Sequence, residues 1–172
     1  MSDSPPEKIP ACALNVLARE EWFADPQVLS RVKLAEPNWL ARIITSPPFN
    51  RGDVSAVTLG HTIYYRKLQR YDPHATEGLA LLAHEAKHVE QYEREGLLKF
   101  CVKYVLNLLR YGNGREIPYE EEAYELEKRV ETHLEREFAD NQGRNTCQEM
   151  GPPHTPNGAY VKATPEGSVF AV

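Results

Sequence analysis

The five residues "HEAKH", His84 to His88, constrain this chain more than any others, because they demand a particular kind of fold around them. They lie inside "LLAHEAKHVEQYEREG", which reads as helix, and in an α-helix positions i and i+4 stand almost above one another. The imidazoles of His84 and His88 can therefore grip one ion. Glu85 is about 100° round the helix, beside such an ion instead of on it, where its carboxylate can take a proton from water. A catalytic zinc needs three protein ligands and one open position. The fold must then bring a distant side chain to this helix.

At 172 residues, with 41% apolar and 26% charged positions, the chain has the size and composition of one domain with a core. A net charge of -5 argues against a nucleic-acid partner, which would need clustered Lys and Arg. Cys12, Cys101 and Cys147 are odd in number and widely spaced, which suits a reducing compartment. The N-terminus shows no signal-peptide pattern, and no uncharged apolar run approaches the ~20 residues of a membrane span. The expectation is a cytoplasmic protein, with export by a route that reads no such signal as the alternative.

Residues 1–10 are polar and hold three prolines, so they read as a flexible lead-in. Residues 11–140 read as the domain and 141–172 as an extended tail rich in Gly, Pro, Asn and Thr. Short helices are expected around Val28–Val32 and Pro37–Ile44. "TSPPFNRGD" is a loop, and its Arg51-Gly52-Asp53 is too short a match to carry function. "VSAVTLGHTIYYRKL" predicts two short strands or one bent strand about Gly60. The central helix runs from about Glu77, capped by Thr76, to Glu95, and stops at Gly96. Leu97–Leu109 is apolar nearly all round and predicts a helix buried on most faces, with Cys101 a small core residue. From Tyr119 to Phe138, with Pro118 in the first turn, Ala123, Leu126, Val130 and Leu134 define an amphipathic helix.

HExxH arises by chance in a chain of this size at an order of one in a few hundred. The bland alternative has His84 and His88 as surface or capped core residues. For a third ligand, the metzincin spacing fails because position 94 is Arg94. The acidic cluster "PYEEEAYELE" offers Glu120 and Glu122, one on each shoulder of the buried face, while Glu121 points away. Glu85 and His88 also form an ExxH pair of the di-iron kind, but a second such pair is missing. His61, His74, His133 and His154 form no ligand-spaced group.

"AVTLGHTIYYRKLQRYDPHATEGLALLAHEAKHVEQY", with the later "EEEA", resembles the HExxHxxQ zinc metallopeptidase domain associated with extracellular contractile injection systems. The resemblance spans roughly residues 50 to 130. It implies an α+β, mainly helical fold of minimal gluzincin type, with an HExxH helix, short strands and a downstream glutamate helix. In the wider gluzincin group the third ligand is a glutamate three residues before a small residue, which here selects Glu120 ahead of Ala123. The aspartate that follows in that pattern is replaced by Tyr124, so support for a metal-binding histidine must come from elsewhere, the Tyr124 hydroxyl being one candidate.

The function expected is zinc-dependent hydrolysis of a peptide or protein substrate. His84, His88 and Glu120 would hold Zn²⁺, and Glu85 would move the proton. Tyr104, Tyr111, Tyr119 and Tyr124 are candidate oxyanion donors. The strand region at Val54–Arg66 would form the cleft's rim, where an extended substrate adds as a strand. The rival expectation is a zinc-stabilised binding or assembly module linked to an injection system. In a further alternative the tail folds back over the cleft, with Cys147 or His154 as an inhibitory ligand.

Overall fold

Two amphipathic helices, one of them packed on a small sheet, set the architecture, as the computed structural model describes it for residues 6–18, 21–25, 27–44, 56–65, 72, 75–111, 116–140, 161–163 and 169–171. The elements in order are β1 (Glu7–Lys8), α1 (Ala11–Ala18), α2 (Val28–Arg31), β2 (Lys33–Ala35), α3 (Trp39–Ile44), β3 (Ala56–Leu59) and β4 (Thr62–Tyr65). They continue with α4 (Thr76–Glu95), α5 (Leu97–Tyr111), α6 (Pro118–Asp140), β5 (Val161–Ala163) and β6 (Val169–Ala171). The expected class, α+β and mainly helical, is what the chain adopts.

The four-stranded sheet has the order β1-β2-β4-β3. β2 runs parallel to β4, and β1 and β3 pair antiparallel at the two edges. The predicted break at Gly60 is a hairpin: Leu59 faces Thr62 across a two-residue turn in which Gly60 has φ 62, a left-handed value that glycine takes without a Cβ penalty. Along β3 and β4 side chains alternate, so Ala56, Thr58, Ile63 and Tyr65 turn inward. The lead-in contributes more than its composition suggests: Glu7 and Lys8 pair with β2, and Ile9 is buried.

α4 runs through the centre. Leu79, Leu82, Ala83, Ala86 and Val89 meet Leu126, Val130 and Leu134 of α6 and the inner face of the sheet. Gly78 is dictated by close approach, since a Cβ there would fall 2.0 Å from the carbonyl oxygen of Asp72. Thr76, expected as the cap, is the first helical residue. Ala75 precedes it in extended conformation and gives no side-chain hydrogen bond. At the other end Gly96 takes φ 84 and donates its N–H to Tyr92 O at 2.8 Å, as expected for a stop. In α6 Ala123, Leu126, Val130 and Leu134 are all buried and Glu121 is exposed, which matches the periodicity.

α5 corrects the expectation of a helix buried on most faces. Phe100 is buried and Tyr104 half-buried against Tyr92 and Tyr119, but Leu98 is 80% and Leu109 78% exposed. Cys101 is exposed as well, so it is no core residue. The reason is geometric: a helix held by one face leaves the rest of its apolar surface in solvent, whatever its composition. No helix among the described residues is long and apolar enough to cross a membrane. In the tail, Val161–Ala163 pairs antiparallel with Val169–Ala171. Arg51-Gly52-Asp53, His74, Cys147 and His154 lie outside the described residues.

Candidate metal centre

The histidines sit mid-way along α4, on the side that α6 covers, and are buried together with Glu85. Their rings lie 5.0 Å apart at 82°. The carboxylate of Glu120, in the first turn of α6, spans them: Oε2 is 3.5 Å from His84 Nε2 and Oε1 is 3.5 Å from His88 Nε2. These ligand atoms all lie within 4.8 Å of one another. Zinc bonds of about 2.0–2.2 Å in a tetrahedron give ligand-to-ligand edges of about 3.4 Å, close to both N···O spacings, although each histidine faces its own oxygen of the Glu120 carboxylate. The donor set of two imidazoles and one carboxylate also suits zinc chemically.

The other ring nitrogens are already engaged. His84 Nδ1 donates to Glu127 Oε2 at 2.9 Å, and His88 Nδ1 donates to Gln91 Oε1 at 2.9 Å. Gln91 in turn donates to Tyr119 O and to Glu122 Oε2, each at 3.0 Å. Both rings are thereby fixed with Nε2 turned toward Glu120, an arrangement that orients metal-binding histidines. Glu127 thus supports the His84 ring through Nδ1. The Tyr124 ring packs edge-on against the same histidine, with centroids 4.6 Å apart.

Glu122, the other shoulder residue, belongs to a charge cluster: it meets Lys87 at 3.1 Å and Arg94 at 3.1 Å. It is engaged away from the pair of Nε2 atoms. Glu85 is held from the sheet, where the Thr58 hydroxyl donates to its Oε2 at 2.6 Å. Tyr92 donates to Thr58 O at 2.7 Å, tying the same strand residue to α4 a second time. Among the four tyrosines proposed as oxyanion donors, Tyr104 reaches the centre and donates to Glu120 Oε1 at 2.9 Å. Tyr119 donates to Glu95 and Tyr111 lies exposed at the end of α5. His61 pairs with Glu93 at 2.8 Å and His133 stacks edge-on against Trp22, both away from the centre.

The electrostatics follow from this packing. Burial disfavours the charged ring of His84, but the Glu120 and Glu127 carboxylates outweigh it and the pKa is pushed up to about 10. His88 shifts the same way, against its burial, through Glu120. Burial would raise the Glu120 carboxyl, yet hydrogen bonds to both histidines hold it well below the usual carboxylate range. Burial and the neighbouring Glu120 charge push the Tyr104 hydroxyl far up, so it stays a proton donor.

Thr58, Gln91 and Glu127 were assigned no role from the sequence. Glu127 had a signal, since Glu120, Tyr124 and Glu127 repeat at helical spacing along one stripe. Thr58 had none, because its contact with Glu85 spans 27 positions and depends on how β3 lies on α4.

Comparison with known proteins adds one likeness. A family model described as the eCIS core domain matches residues 48–96, which takes in β3, β4 and α4 and stops short of Glu120. The match supports an association with extracellular contractile injection systems. No curated protein and no solved structure matches the chain.

Proposed function

We propose that the chain is a zinc-dependent peptide-bond hydrolase. The observation that carries this reading is the Glu120 carboxylate spanning His84 and His88 with Glu85 alongside. Zinc, when bound, supplies a Lewis acid for the scissile carbonyl and a water acidic enough to be deprotonated near neutral pH. Glu85 would accept a proton on its carboxylate and hand it to the leaving amine, and the Thr58 hydroxyl, which donates to Glu85 Oε2, would hold that carboxylate in place. Tyr104, whose hydroxyl reaches Glu120, is a candidate donor to the developing oxyanion. β3 is an edge strand whose residue Thr58 touches Glu85, so an extended peptide adding to that edge would lie along the centre.

The test is Glu85→Gln, which is expected to keep zinc and lose peptide cleavage. Cleavage at the wild-type rate would remove Glu85 as the base. A second reading, a zinc-stabilised assembly module of an injection system, draws on the family match and on Tyr124 standing in the place of an aspartate. Peptide cleavage that disappears with chelator and returns with Zn²⁺ would rule it out.

A further inference from the structure

α5 carries chemistry that the metal centre leaves unused. On the helical wheel Leu97, Leu98, Val102, Val105, Leu106 and Leu109 fill an arc of about 180°, and all six are more than half exposed. The opposite side, Phe100 and Tyr104, packs on Tyr92 and Tyr119 and so fastens the helix to the domain. Lys99, Lys103 and Arg110 cluster within about 40° on one border of the apolar arc. α5 holds no Asp or Glu, in a chain whose net charge is -5. An exposed apolar half with a basic border is thus concentrated on one element.

Three occupants compete for this surface. A second copy laid antiparallel would bring like borders together, setting cations against cations. A protein groove would have to wrap a helix whose inner side is already taken. A plane meets neither difficulty. Acyl chains accept the leucines, and anionic headgroups accept Lys99 and Arg110, while Lys103 is 2.6 Å from Glu95. We infer that α5 is an interfacial helix that docks the folded chain on an anionic lipid surface.

The experiment is vesicle flotation of the full chain, comparing phosphatidylcholine alone with phosphatidylcholine containing about 30% phosphatidylserine. The wild type is expected to float with the anionic vesicles and to be released by high salt. Removing Lys99 and Arg110 together, as alanines, weakens binding about fivefold for each charge. Leu98→Ser and Leu109→Ser each weaken it more than about tenfold, with circular dichroism unchanged because both side chains are already in solvent. Glu85→Gln floats like the wild type, since docking does not depend on the metal centre. Equal flotation with both vesicle types, no flotation, or a soluble dimer that Leu98→Ser dissolves would each overturn the proposal.

Discussion

α4 and α5 follow one another across a single glycine, yet α4 buries polar residues beside its apolar stripe while α5 leaves most of its apolar residues exposed. α4 hides His84, Glu85, His88, Glu90 and Gln91, whereas α5 holds leucines in water. Burial here is decided by what packs against a face, and polarity decides only what that burial requires. Each buried polar group of α4 has a partner: Glu90, for example, accepts the backbone N–H of Ala24 at 2.5 Å and pairs with Lys87 at 2.6 Å. Unpaired, such groups would cost several kcal/mol apiece. α5 needs no such network, and the core loses little from its outer face.

The contrast can be broken most forcefully at Glu85. Glu85→Gln is expected to lower peptide cleavage by about 10²–10⁴-fold with zinc retained, measured as kcat beside metal content. In the core, Leu82→Ala should cost about 2–5 kcal/mol in denaturant unfolding, because Leu82 is fully buried in the main apolar cluster. One step out, Glu127→Ala should weaken zinc binding about 10–100-fold in a competitive chelator titration, by freeing the His84 ring. Leu98→Ala, the counterpart on α5, should stay within about 0.5 kcal/mol of the wild type in unfolding. A large loss there would mean that α5 is covered in solution.

The pH dependence sharpens the same comparison. Against its burial, the pKa of His84 is pushed up to about 10 from an ordinary 6.5 by Glu120 and Glu127, so its contribution to stability is expected to be fully present below pH 6.5 and lost as pH rises through about 10. Glu120 works in the other direction: its contribution is present above its ordinary 4.5 and is lost as pH falls through its depressed folded value. Zinc must compete with the protons that the raised pKa values of His84 and His88 favour. Its affinity is therefore expected to rise about tenfold per pH unit for each proton released, seen as acidification when zinc is added to a weakly buffered sample.

How much of this was legible in the sequence varied with the element. α4 and α6 were readable because their apolar residues repeat at helical spacing and Gly96 and Pro118 mark ends. β1 and β2, of two and three residues, are too short to show alternation. α5 is misleading in sequence, since its apolar arc, the side that composition would turn inward, faces solvent while Phe100 and Tyr104 hold the helix. In the centre, His84, Glu85 and His88 follow from spacing along one helix. The choice of Glu120 over Glu122 needed the resemblance, and the reason became visible only in space, where Glu122 is drawn off by Lys87 and Arg94. Thr58 was invisible, since a hydroxyl on a strand does not announce which carboxylate it will face.

His84, His88 and Glu120 are expected to hold one ion among them. Elemental analysis of the purified chain, dialysed against zinc and then washed free of excess, tests this directly. About one zinc per chain, lost in His84→Ala and in Glu120→Ala, is the result this account predicts. No bound metal in the wild type, or zinc retained equally by both variants, would contradict it.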